Sequence, residues 1–388
     1  MTTLDAPVRD LASRAGKIGA KVAGPAAADV DREARFPTEA LDALRAEAML
    51  SILVPTELGG LGATVGDAAD VVFELGRHCA STAMIYAMHQ IQVASLVRHG
   101  RSDFLRSYLA QMAEHELLLA SATTEIGVGG DVRSSVCTVE RDAAGTIRLE
   151  KMAPVISYGA YADGILATAR RSPESPPNDQ VLVLCRPPGL ALEAISGWDT
   201  LGFRGTCSLG YRLVAEGEGD LVLDDAYGDI SSRTMLPVSH ILWSSVWLGL
   251  ATAAADKAGR FVRAEARKKP GVMPPSALRL AELVAQLQRM EELVRGMARR
   301  YDENCDDADF LASMRFAIMM NSLKVSSSTL VVDIVNRAMT ICGMAGYRED
   351  SPYSLGRLLR DAHGAAVMIN NDRINGNTAQ MLLVYKED

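Results

Sequence analysis

Proline placement constrains this chain more than any other feature of its sequence. None of its 15 prolines lies between Pro55 and Pro154 or between Pro275 and Pro352, whereas seven fall from residue 154 to 237. Proline removes a backbone donor and fixes φ, so uninterrupted helices belong in the proline-free stretches and turns in the middle. Up to residue 117 the chain reads as helical. Phe36-Pro37-Thr38 opens a helix, Val54-Pro55 ends one, and Asp67 to Cys79 and Thr82 to Arg98 space apolar residues at i, i+3, i+4. From 118 to 228, short β-branched runs at Ser135 to Val139 and Thr146 to Leu149 alternate with turn clusters at Ala143-Ala144-Gly145 and Pro173 to Asp179, which predicts a small β domain. From 229 to 388 helical periodicity returns, and Ala277 to Arg300 and Asp309 to Thr340 can each run as one long helix. The class expected is α+β, mostly α.

Composition agrees with that order. At roughly 150 residues per domain, 388 residues suggest two or three domains. The chain is 48% hydrophobic but only 5% aromatic, so its core rests on Ala, Leu, Val and Met, which favour helices. A net charge of −8 supplies no basic field for nucleic acid. Cysteines 79, 137, 185, 207, 305 and 342 form no C-x-x-C pair and no compact cluster with histidine, so neither structural zinc nor a disulfide framework is expected. Free thiols, and an amino terminus that carries Asp5 and Asp10 instead of an apolar core, point to a cytoplasmic protein. Met235 to Ala255 contains no Asp, Glu, Lys or Arg, and its length is near the roughly 20 residues that span a bilayer. Its Pro237, Ser239, His240, Ser244 and Ser245 suit a buried bundle helix better, and no membrane partner is expected. Trp243 and Trp247 share one face of that helix, toward the core.

Thr123-Thr124-Glu125-Ile126-Gly127-Val128-Gly129-Gly130-Asp131 is the strongest single motif. Its glycines suggest a dinucleotide loop, but such a turn must open a helix, and the next segment here reads as a strand. Other motifs stand at intervals along the chain. They are Val54 to Gly62, Lys151-Met152 leading to Val155 to Asp163, Gly197 to Ser208, Arg267 to Gly271, Gly343 to Tyr347, Arg360-Asp361-Ala362 and Asn375 to Thr378.

Over nearly its whole length this set resembles the acyl-CoA dehydrogenase flavoproteins. The resemblance implies an amino-terminal helical domain, a β-barrel-like middle domain and a carboxyl-terminal four-helix bundle. It also implies FAD and a homotetramer. Thr123 and Thr124 would meet the flavin, with Gly130 replacing the family's usual Ser. Ile156 and Ser157 would lie near flavin N5, with Val155 replacing a covering Trp. Arg267 would reach the flavin pyrophosphate of a neighbouring subunit, with Pro270 where the family has Phe. Gly343 and Gly346 would approach the adenosine part, and Thr378 would border the flavin. Arg204 reads equally as a ligand donor or a turn residue, while Arg357, Arg360 and Asp361 read as structural pairs.

The family's catalytic Glu, which removes the substrate's α-proton, is absent. Asn375 or Gly376 stands in its place, and neither accepts a proton at neutral pH. His240, His89 and Asp372 are the candidates for a relocated base. Two enzymatic readings follow from the resemblance. One is α,β-dehydrogenation of an acyl thioester, carried by CoA or acyl carrier protein, with an electron-acceptor flavoprotein as partner. The other is a monooxygenase fed by a flavin reductase, like relatives that hydroxylate amines or aromatic sulfur compounds, lack the Glu and carry a His similar to His89. A third reading is a non-catalytic subunit beside a Glu-bearing paralogue.

Overall fold

The computed structural model describes residues 10–129 and 133–386. The chain begins with helices Leu11–Ile18 (α1), Gly24–Arg32 (α2), Thr38–Ala46 (α3), Val65–Gly76 (α4), Ala80–His99 (α5) and Asp103–His115 (α6). Thr64 starts α4 with a capping box, exchanging side-chain and backbone hydrogen bonds with Asp67. α5 is buried on nearly every side, because α4, α6 and elements of the two later regions surround it.

Seven strands follow: Leu119–Ala122 (β1), Glu140–Arg141 (β2), Ile147–Ala153 (β3), Gly164–Arg170 (β4), Gln180–Cys185 (β5), Leu190–Ser196 (β6) and Gly210–Gly217 (β7). They form one sheet in the order β1-β4-β5, with β1 parallel to β4, and an antiparallel sheet in the order β2-β3-β7-β6. β5 is buried throughout, whereas β3 alternates buried and exposed residues as a strand with one wet face must.

The last region holds Tyr227–Ile230 (α7), Leu236–Lys268 (α8), Ser276–Asn304 (α9), Ala308–Ala312 (α10), Met314–Cys342 (α11), Met344–Tyr347 (α12), Gly356–Gly364 (α13) and Asn371–Leu382 (α14). α8 is its axis and packs on α4, α5, α9 and α11. Glycine permits the crossing with α4: a Cβ at Gly249 would sit 2.4 Å from the Phe73 carbonyl oxygen. By length and composition, Tyr227–Lys268 and Met314–Cys342 could each cross a membrane, yet 83% of the most apolar window of the first is buried inside the protein. The charge-free run from Met235 is core, with Val238, Ile241, Leu242, Val246 and Trp247 fully enclosed.

Two local expectations fail, each for a polar reason. Ser135 to Val139 does not form a strand: the Glu125 carboxylate accepts the amides of Val136 and Cys137, leaving one isolated bridge from Thr138 to Arg170. Asp309 to Thr340 is not one helix either, because Ser313 interrupts it. The Ser313 hydroxyl accepts the Phe316 amide and donates to the Phe310 carbonyl, ending α10 and capping α11.

Candidate active site

A buried ion pair anchors the glycine-rich loop that follows β1. Glu125 lies 3.1 Å from the Lys151 ammonium, with side chains 5% and 1% exposed. The carboxylate also accepts the Ser135 hydroxyl at 2.6 Å and the Cys137 amide at 2.6 Å. Lys151 spends its remaining protons on the Thr168 carbonyl and hydroxyl. Such saturation is what a buried pair needs to offset its lost hydration. Burial pushes the Glu125 carboxyl up, but Lys151 and the Ser135 hydroxyl outweigh it and hold it below the usual range. The Thr124 hydroxyl donates to the Val155 carbonyl at 3.3 Å, and the Thr123 carbonyl accepts the Thr168 hydroxyl. Gly127 and Gly129 are left-handed, and a Cβ at Gly129 would meet nothing within 4 Å, so the loop leaves open space there. Gly130 lies outside the described residues.

Beside this loop the Ser157 hydroxyl accepts a hydrogen bond from Ser208 at 2.8 Å, and Ser208 lies 2.7 Å from the Thr206 hydroxyl. Ser157 therefore keeps its own proton for an outside acceptor. Three non-glycine residues with positive φ frame the network: Tyr158, Phe203 and Cys207. Clustered strain of this kind is held by surrounding bonds. Here the Tyr158 amide donates to the Thr206 carbonyl and its hydroxyl to the Leu119 carbonyl, while the Ile156 amide donates to Leu209. Ile156 is buried, but Val155 and Ile126 are 37% and 52% exposed, apolar surface beside the free hydroxyl proton.

α14 closes the other side. Arg373 donates to the Gly129 carbonyl at 2.9 Å, tying the helix to the glycine loop. Ile374 and Thr378 face the bundle, where Asn321 donates to the Thr378 hydroxyl at 3.0 Å. Asn375, Gly376 and Asp372 are exposed, and a Cβ at Gly376 would meet nothing within 4 Å.

Both candidate histidines are buried and neutral. His89 has its Nε2 2.7 Å from the Leu50 carbonyl, and its Nδ1 accepts the Leu119 amide at 3.0 Å. This fixes the Nε2-protonated tautomer and leaves no lone pair for substrate. Burial pushes its pKa down to about 4. It staples α5 to β1 and to the turn at Leu50. His240 donates from Nδ1 to the Met320 carbonyl at 3.0 Å, and its Nε2 has no hydrogen-bond partner among the described residues. Burial, with help from Lys324, lowers its pKa to about 4.

Lys324 was not singled out by the sequence, although a lone charge on the apolar stripe of α11 was the available signal. It is wholly buried, donates to the Ile369 carbonyl and to Asn371 Oδ1 at the start of α14, and lies 5.8 Å from the Trp247 ring centroid. No carboxylate pairs with it among the described residues, and burial pushes its pKa down to about 8.

Other sequence candidates stand apart. Arg267 lies at the carboxyl end of α8 and Gly343 and Gly346 just past that of α11, while the start of α14 packs at Lys324. Residues 324 to 343 along a helix span roughly 28 Å, so one chain does not bring the two sets together. Arg204 is a turn clamp: it donates to the Asp31 and Thr200 carbonyls and pairs with Asp199 at 3.0 Å. Asp361 accepts the Phe203 amide at 2.7 Å, and Gly202 lets that turn touch α13, since a Cβ there would sit 2.3 Å from the Arg360 carbonyl oxygen.

An apolar shelf, the Ser157 hydroxyl proton and open backbone fit a flat ring with polar edges, such as a flavin. The comparisons with known proteins agree. The model described as "Acyl-CoA dehydrogenase, N-terminal domain" matches residues 8–116, and that described as "Acyl-CoA dehydrogenase, C-terminal domain" matches residues 230–371. Cyclohex-1-ene-1-carbonyl-CoA dehydrogenase of Syntrophus aciditrophicus (strain SB) is 24% identical over 360 residues, 90% of this chain and 83% of its own. Amino sugar nitrososynthase DnmZ of Streptomyces peucetius is 27% identical over 364 residues, 88% of this chain and 84% of its own. The crystal structure of FMN-bound TdsC from Paenibacillus sp. A11-2 superposes with a TM-score of 0.84 at 19% identity, covering 99% of this chain and 98% of that one. With both helical regions matched by the family's own models and the fold kept throughout, this chain belongs to the acyl-CoA dehydrogenase family of flavin oxidoreductases.

Proposed function

We propose that this protein is a flavin-dependent monooxygenase that oxygenates a nitrogen or sulfur atom, not an acyl-thioester dehydrogenase. The observation that carries this reading is that, among the described residues, no well-matched base stands at the cleft. Asn375 and Gly376 do not titrate, His89 has both nitrogens committed, and Asp372 is exposed to solvent in the first turn of α14. α,β-Dehydrogenation needs a group that takes a proton from carbon. Oxygenation of an amine or thioether does not, since the heteroatom supplies its own lone pair.

When bound, reduced flavin would supply the electrons that activate dioxygen. Thr124 and Ser157 would hold the ring by its polar edge, and Ser157 has a proton to donate. Val155 leaves room above the ring for a substrate. The family's FAD, rather than FMN, is the cofactor proposed, with Arg267 and the exposed turn at Gly343 completing a partner's site in a homotetramer. A dehydrogenase with a relocated base is the second reading, resting on the unpartnered Nε2 of His240. A base with pKa near 4 is poorly matched to removing a carbon-bound proton near neutral pH.

The test supplies the protein with FAD, a flavin reductase, NADH and a panel of amines and thioethers under labelled dioxygen. One labelled oxygen atom per product molecule is expected. Product with unlabelled oxygen, or no oxygen-dependent product while acyl thioesters are oxidised, would overturn the reading.

A further inference from the structure

Away from the candidate active site, Lys257 sits where α4, α8 and α13 converge, and two adjoining cavities share it. One, of about 300 Å³, has Arg77, Asp256, Arg260 and Arg263 among its lining residues. The other, of about 650 Å³, adds Arg357, Arg360, Asp31 and Glu349.

The charges there do not balance. Asp256 is taken by Arg77, and Asp31 and Glu349 are taken by Arg360. Lys257, Arg260, Arg263 and Arg357 have no carboxylate at ion-pair distance among the described residues. Lys257 donates to the Ser354 carbonyl and Arg357 to the His78 carbonyl, both neutral acceptors. Burial lowers the Lys257 pKa to about 8, and Arg357 and Arg260 push the same way. Lys257, Arg260 and Arg263 recur at intervals of three, which keeps them on adjoining parts of one α8 face. Like charges gathered on a half-buried concave surface raise the free energy of the empty protein, and an anion that neutralises them recovers it.

The anion's class follows from the donors. Guanidinium groups make paired hydrogen bonds to phosphoryl oxygens, and an ammonium acts as a point charge among them. A single carboxylate would neutralise one of the four cations. Two linked phosphoryl groups would match two cavities joined at one lysine. We propose that this cleft binds a diphosphate group, with Lys257 between the two cavities, Arg260 and Arg263 on one side and Arg357 on the other. Arg267, assigned by family resemblance to the flavin pyrophosphate, lines neither cavity. A dinucleotide cofactor, a CoA thioester and a nucleoside-diphosphate-linked substrate all carry this group.

The test is calorimetric titration of the full-length protein with inorganic pyrophosphate at low ionic strength. Saturable binding is expected, weakened about tenfold or more by Arg260→Ala and by Lys257→Met. Arg315→Ala, which removes a cation on α11 outside the cleft, should leave it unchanged. Arg260 is exposed and has no ion-pair partner among the described residues, so its loss should not disturb folding, which circular dichroism checks. FAD, coenzyme A and uridine diphosphate are then titrated against bound pyrophosphate, and the one that displaces it at the lowest concentration identifies the carrier. Absence of saturable binding, equal weakening by all three substitutions, or failure of all three competitors would overturn the assignment. The readout is binding alone, so it stands or falls separately from the reaction proposed above.

Discussion

Lys151 and Lys324 are buried to the same degree, yet only Lys151 faces a carboxylate. They stand on opposite sides of the candidate active site. On the β-domain side a saturated ion pair fixes the glycine loop, so the half of the cleft proposed to bind the ring is set by charge. On the bundle side a lone ammonium holds the start of α14 through a carbonyl, an amide oxygen and an aromatic face. The half proposed to bind the ring is anchored by a paired charge, while the half that would bear the base is anchored by an unpaired ammonium and has Asn375 or Gly376 in place of a carboxylate. That difference is what separates the conserved fold from the altered chemistry proposed for it.

The largest break in this comparison should come from Lys151→Met, which strands the Glu125 carboxylate in the interior. A loss of about 3–5 kcal/mol is expected by chemical denaturation, with flavin binding lost as well. The pair also carries a pH signature. The Glu125 carboxyl is held below its ordinary 4.5 in the folded state, so its contribution is complete above that value and disappears as the pH falls through the folded one. Glu125→Gln should flatten that acid limb.

His89→Ala should cost about 2–4 kcal/mol, because it opens a cavity and orphans the Leu119 amide and the Leu50 carbonyl. Unchanged stability together with lost turnover would instead restore His89 to the chemistry.

Lys324→Met tests the bundle side. The folded pKa of Lys324, about 8, lies below its ordinary 10.5. Between those values the unfolded chain holds a proton that the folded one has released, so wild-type stability should rise with pH across that window. The variant should lose this rise, a difference of about 1–3 kcal/mol between the ends of the window. A variant that keeps the same slope would place the titration elsewhere.

The smallest effect is expected at Gly376→Ala. It fills open space in an exposed helix interior and should stabilise α14 by about 0.5–1 kcal/mol. Destabilisation would mean that the position needs glycine for a contact not made within one chain.

Much of this was legible in the sequence. Proline spacing and apolar periodicity located the helical, β and helical regions, and the family resemblance singled out the run from Thr123 to Gly129 and Ser157 as the proposed flavin side. What escaped was set by partners distant in the chain. Ser135 to Val139 has strand-forming residues, but a carboxylate eleven and twelve positions earlier takes the amides of Val136 and Cys137. His89 and His240 read as bases until their neighbours were known. Burial lowers the basicity of both and backbone partners take both nitrogens of His89, and local spacing does not encode those contacts. The cations at 257, 260 and 263 were visible as a spacing, but their lack of counter-charge is a property of the packed cleft.

The most direct test of the central claim is an anaerobic absorbance titration of the FAD-reconstituted protein with short, medium and branched acyl-CoAs. The oxidised flavin band should persist at every chain length, because among the described residues no well-matched base stands at the cleft. Bleaching by any acyl-CoA would contradict the account and return the protein to the dehydrogenases, with His240 the first residue to substitute.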